Sequence, residues 1–301
     1  MKNNNNKLIL ISGLVLMFST TFGQDYAFKV LANKGSNEIK SGDTWQAIKT
    51  GASLKSADEL RLSENAYLGL IHASGKPLEV KESGVHKVAD LAAQIAGGTS
   101  VLNKYTDFIL SSNSAEAKKN RLSATGAVHR GINTIDVFLP KTQNTGVLNQ
   151  ELVINWQPEK GRAPYVVILK NMFDDELIKL ETSESSMHVS LADPKLSNES
   201  AILVEVRSLG DASVKSEPRL VKKLAVAERE RVTKELAELK VATAEETPLD
   251  KFILAGFYET NKLFIDAIAT YEELIKMAPD VPTYKEAYEE FLLRNDLKKP
   301  Q

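Results

Sequence analysis

In a chain without cysteine, chemistry has to come from histidines, carboxylates, hydroxyls and tyrosines, and their spacing comes first. The four histidines are His72, His86, His129 and His188, and no two stand at a metal-ligand spacing such as i, i+4 on one helix face. His188 alternates with Met187 and Val189, which reads as strand packing or surface exposure. Asp174, Asp175 and Glu176 would hold a cation only if their oxygens converged, and three adjacent carboxylates between two strand-like runs read as a solvated turn. Gly97-Gly98-Thr99-Ser100 has the small residues of a phosphate cradle but lacks the Lys-Ser/Thr pair such a loop needs, so it reads as a helix break. Sequence order alone does not decide a Ser-His-acid arrangement, but there is no Gly-x-Ser-x-Gly elbow and no Ser-x-x-Lys. Tyr258 and Tyr271 read either as an aromatic binding stripe or as core, and they fall at interior spacings of a helix pair. The expectation is a protein that is not an enzyme, with no catalytic, cofactor-binding or metal-ligating residues and no cofactor.

The elements that carry these residues follow from composition and pattern. Apolar residues make up 43% of the 301 and charged residues 26%, values that allow packed cores and exclude global disorder. With 38 Lys and Arg against 40 Asp and Glu, a net charge of −2 leaves no electrostatic footprint for nucleic acid or anionic lipid. Residues 1–23 combine Lys2 and Lys7, an apolar run from Leu8 to Phe18, and small residues at Thr21 and Gly23. That is the pattern of a cleavable signal peptide, too short to span a bilayer. The expected protein is exported, periplasmic or secreted, not integral to the membrane once processed, and free of disulfides in a bacterial envelope.

From Gln24 to Val88 short apolar/polar alternations recur, at Phe28–Gly35, Thr44–Gly51, Asp58–Leu62, Ala66–Ile71 and Gly75–Val80, separated by Gly, Asn and Ser. They predict five or six half-buried strands in a small β-domain. Trp45, Gly51, Leu54, Asp58, Leu60, Ala66, Leu68, Leu70, Gly75, Leu78 and Val80 follow one another in a pattern that resembles the FecR-type periplasmic domain. The chain departs from it at Ala73-Ser74-Gly75, where the family commonly has an Asp-Gly turn. The resemblance implies a periplasmic binding or signal-sensing module, of a kind that also accompanies wall-binding domains.

Beyond Lys87 the period changes. Val88, Leu91, Ala92 and Ile95, then Val101, Leu102, Tyr105, Phe108 and Ile109, predict two helices that complete a unit over 24–113. Residues 114–133, weakly basic and poor in large apolar groups, read as a linker. Strand-like runs at Asp136–Pro140, Leu152–Trp156, Tyr165–Leu169, Leu177–Leu180, Met187–Leu191 and Ala201–Arg207 then predict a β-sandwich over 134–221, with a hairpin at Asn171–Glu176. The Trp156-x-Pro158 strand end and Ala163-Pro164-Tyr165 resemble a fibronectin type III or immunoglobulin-like domain.

Residues 222–301 read as helical. Val221–Val241 predicts an amphipathic connector burying Leu224, Ala225, Val232, Leu236 and Leu239. Thr247-Pro248-Leu249-Asp250 has the cap, first-turn proline and acid of a helix start. Leu254, Ala255, Tyr258, Ala267, Tyr271, Leu274 and Pro279 resemble one tetratricopeptide repeat over about 248–280, with Tyr284, Ala287, Tyr288 and Phe291 on a covering helix. The expected fold class is multidomain, mainly β with a C-terminal α region. The expected function is that of a protein-binding scaffold or adaptor of the cell envelope, taking another envelope protein or peptide through the helical repeat or a sheet edge. The alternatives are a FecR-type signal sensor and a peptidoglycan-binding module.

Overall fold

The computed structural model describes residues 26–95, 101–124, 134–141, 146–158, 162–243 and 246–298. The signal-peptide reading of 1–23, the Gly97–Ser100 break, His129 and most of the second half of the expected linker lie outside the described residues.

The first β-region runs β1 (Phe28–Lys34), β2 (Glu38–Ser41), β3 (Thr44–Ala47), β4 (Ser53–Leu54), β5 (Glu59–Leu62), β6 (Tyr67–His72), β7 (Pro77–Val80) and β8 (Gly84–Lys87). Alternation places Phe28, Val30, Leu54, Leu60, Leu62, Leu68 and Leu70 inward, and two antiparallel sheets close on them in the orders β4-β1-β6-β7 and β3-β2-β5-β8. The additional strands β2, β4 and β8 are short and polar, so period-two alternation does not single them out. Helix α1 (Val88–Ala93) closes this core with Val88 and Leu91.

Helix α2 (Val101–Ser112), expected to belong with that region, contributes Leu102, Tyr105 and Ile109 to a different core, the one shared with the C-terminal helices. Residues 114–133 are not a linker throughout, because Ala115–Ala124 forms α3. Its Ala, Glu and Lys residues are strong helix formers that carry no apolar stripe for a pattern search to find.

The second β-region holds β9 (Gly146–Val147), β10 (Glu151–Asn155), β11 (Tyr165–Lys170), β12 (Glu176–Thr182), β13 (Ser186–Ser190), β14 (Ala201–Ser208) and β15 (Arg219–Lys223). A five-stranded sheet in the order β12-β11-β14-β15-β9 faces a β10-β13 ladder, and Val137 bridges to Trp156 beside it. The two layers meet where Trp156 and Tyr165 pack edge to face at 5.3 Å. The last strand is a correction to the expected connector: Val221 sits in β15, and the helix begins later, as α4 (Val226–Ala242), burying Val232, Leu236 and Leu239.

Three helices finish the chain, α5 (Pro248–Thr260), α6 (Phe264–Met277) and α7 (Pro282–Arg294). Thr247 and Asp250 exchange side-chain and backbone hydrogen bonds in a capping box, with Pro248 at the first turn. Tyr271 stacks on Tyr288, and Phe252 lies against Tyr271 and Tyr284. This α-region is the hub of the molecule. One continuous core takes in Leu31, Ala32, Tyr67 and Ile71 from the first β-region, the inner faces of the second, and the helices.

Candidate functional site

A partner segment was expected at the helical repeat or at a sheet edge; the helix pair α5–α6 and the covering α7 pack against both β-regions, on two faces. On one, Tyr284 shares a 2.6 Å hydrogen bond with Tyr67 of β6. Tyr67 donates to Glu79 of β7 at 2.6 Å when its own hydroxyl accepts from Tyr284. The Glu79 carboxylate also accepts from the backbone N–H of Leu249 at 3.0 Å, which places a negative charge on the first turn of α5. Burial raises the phenols of Tyr67 and Tyr284 well above the ordinary tyrosine range, so both stay protonated as donors. Thr283 and Asp280 of the same end meet Asn33 and Lys34 of β1.

On the other face, Asp266 of α6 is fully buried and accepts from the backbone N–H groups of Leu148 (2.9 Å) and Asn149 (2.7 Å) between β9 and β10. Burial pushes this carboxyl up to about 6, against the downward pull of those two donors and of Arg229. Arg229 in turn donates to the carbonyl of Leu148 at 3.0 Å, and Asn149 donates to Tyr258 at 3.0 Å. Farther along, Asn155 of β10 donates to Glu272 and to Tyr288. Tyr258 and Tyr271 are buried, as their spacing predicted, and belong to this packing rather than to an open stripe.

Among the described residues, the sequence-derived chemistry candidates are not brought together. His72 sits at the end of β6 on the ring of Phe28 and bonds Ser74, burial lowering its pKa. His86 on β8 contacts the carbonyl of Glu82, and His188 on β13 lies 3.5 Å from Lys276. Asp174 pairs with Lys170, and Asp175 accepts from Asn171, at the tip of the β11–β12 hairpin. Asp266, Glu79 and Asn155 escaped sequence reasoning. A signal exists for two of them: Asp266 interrupts the apolar run Phe264-Ile265-Asp266-Ala267-Ile268, and Asn155 ends Leu152-Val153-Ile154. A lone polar group inside an apolar run marks a buried partner.

Two concave regions among the described residues stand out. A cleft of about 220 Å³ lies where β1, α2, α5 and α7 meet, rimmed by Lys118 and Glu286 at 3.6 Å, and is smaller than ordinary ligand pockets. The larger groove, about 690 Å³, runs along β7 between β8, α1 and the start of α5. Leu78, Val80, Leu91 and Ile95 line its apolar part, with Lys76, Lys81, Glu82 and His86 as polar lining. Strand β7 is the edge of its sheet. His72 donates its backbone N–H to Lys76, so 76, 78 and 80 pair with β6 and the backbone of 77, 79 and 81 turns away from it, toward the edge. Among the described residues no helix is long and apolar enough to cross a membrane.

The chain matches no known family model, and no curated protein matches it.

Proposed function

We propose that this protein is a non-enzymatic, exported envelope protein that works as a protein-binding scaffold or adaptor. The observation that carries the reading is the edge strand β7 opening onto a groove within the size range of binding sites, on a body whose C-terminal helices pack against its own β-regions. The FecR-like, fibronectin-like and tetratricopeptide-like resemblances support it, since each names a module that acts by contact. In this reading a partner segment adds as a strand to β7, its backbone pairing with outward positions 79 and 81 and with the carbonyl alone of Pro77, which has no N–H to donate, while an apolar side chain enters between Leu91 and Ile95. The test is a photo-crosslinking amino acid in place of Lys81 in the full chain, expressed in a bacterial envelope. A discrete protein adduct supports strand addition, and its absence removes this groove as the site.

A second reading, wall-glycan binding, has its own observation. Register places Glu38, Lys40, Trp45, Glu59 and Arg61 on the outward face of the β3-β2-β5-β8 sheet, with the Arg61 guanidinium 4.4 Å from the Trp45 ring centre. An aromatic ring among charged hydrogen-bonding groups is what a sugar ring and its hydroxyls stack on and bond to. Co-sedimentation with purified peptidoglycan, lost on Trp45→Ala, would favour this reading over the first.

A further inference from the structure

The most exposed large apolar residue among the described ones is Phe173, at 88%, followed along the chain's β11–β12 tip by its neighbour Met172 at 53%. Laxity does not explain that exposure. Asn171 braces the tip: its backbone N–H donates to the carbonyl of Asp175 at 3.0 Å, and its carbonyl accepts from Asp174 at 3.2 Å. Its side-chain oxygen accepts from the N–H groups of Phe173 (2.9 Å) and Asp175 (3.0 Å), while its side-chain nitrogen donates to the Asp175 carboxylate at 2.9 Å. Asp174 takes the left-handed backbone conformation (φ 73°), and its carboxylate holds the nearly buried amine of Lys170 at 2.8 Å. The result is a cross-braced turn that holds an aromatic ring in water at little remaining entropic cost to binding.

We propose that this tip is a docking knob whose partner is a protein presenting an apolar socket rimmed by Lys or Arg. The inference is independent of the strand-addition reading, since the knob lies in the other β-region. The charge around the ring selects the socket. Lys170 pairs with Asp174 and Arg207 with Glu205, and Lys215 also acts on Asp174, so the carboxylates of the tip and its flank outnumber the cations by one, with Asp175 and the exposed Glu176 beside Phe173. Anionic lipid headgroups repel such a tip, and a cationic rim attracts it. The β7 groove of a second copy does not match such a tip, because it sets Glu79, Glu82 and Asp250 against Lys76 and Lys81. A rigid aromatic anchor in a desolvated socket is the kind of residue that dominates binding energy.

The test replaces Phe173 with a photo-crosslinking phenylalanine analogue in the full chain, with the analogue at exposed Val226 as control, in cells that export the protein. The expected result is an adduct specific to position 173, mapping to an apolar segment flanked by Lys or Arg and lost on charge reversal in Asp175→Asn/Glu176→Lys, in which Asn keeps an acceptor for the Asn171 amide. With that partner in hand, Phe173→Ser weakens binding about 30-fold, the scale of a hot-spot residue, with an unchanged melting temperature. Phospholipid adducts, self-adducts, adducts that survive charge reversal, or no adduct specific to 173 would each overturn the proposal.

Discussion

Replacing Asp266 with Asn tests how the helical hub holds the second β-region. The folded-state carboxyl sits near 6, above the ordinary 3.8, because burial outweighs its two backbone donors and Arg229. The folded protein therefore binds a proton between about pH 4 and 6 that the unfolded chain does not. The stability linked to it is fully present below 3.8 and lost as pH rises through 6. The gap corresponds to about 3 kcal/mol, of which about 2 kcal/mol is recovered on acidifying from pH 7.5 to 4.5. An amide does not titrate, and its single oxygen leaves either Leu148 or Asn149 without its acceptor, a cost of about 1–3 kcal/mol at every pH. Other titrating groups are common to both proteins and cancel in the comparison. The wild-type melting temperature should thus gain on the variant by about 4–8 °C between pH 7.5 and 4.5, measured by calorimetry in matched buffers. A difference that is the same at both pH values refutes the reasoning. One that shrinks on acidification would show that the backbone donors, not burial, control this carboxyl.

Three more perturbations probe the same architecture. Tyr67→Phe and Tyr284→Phe each remove half of the hydroxyl pair that also satisfies Glu79; each should cost about 1–3 kcal/mol, and a double-mutant cycle in urea should give coupling above about 0.5 kcal/mol, whereas additivity would mean the pair holds nothing. Arg294 binds both oxygens of Glu259, which is nearly buried, so Arg294→Met should destabilise by about 3–5 kcal/mol through the stranded charge, with Glu259→Gln on top restoring much of it. Gly256→Ala gains about 1 kcal/mol of helix propensity, yet its new carbon meets Ile109 at 2.8 Å. Net destabilisation is expected, and a net gain in denaturant midpoint would show that α2 can retreat from α5.

The strands that repeat an apolar/polar alternation were legible because their own side chains carry the signal. Phe28–Gly35 became β1, Ala66–Ile71 became β6, and every expected run from Leu152 to Arg207 contains a strand. The start of α5 was legible for the same reason, with Thr247, Pro248 and Asp250 making the capping box locally. What local pattern could not supply were elements whose stability comes from elsewhere. Strands β2, β4 and β8 exist because neighbours offer backbone partners, and Val221–Lys223 joins β15 because β14 and β9 flank it, although an amphipathic helix reads through the same residues.

By itself, then, the sequence determined where chain segments turn, which of their faces are apolar, and that no two histidines stand at a metal-ligand spacing on one helix face. Those are properties of residues within a few positions of one another. Only the tertiary structure decided that α2 packs chiefly on α5, at Gly256, while still meeting β1, that Asp266, Glu79 and Tyr284 fasten both β-regions to the helices, and that β7 and the Phe173 tip remain on the surface. The first two of those outcomes depend on groups about 100 to 220 positions apart in the chain. Buried polar groups require a partner wherever the fold brings one, and local periodicity contains no term for it.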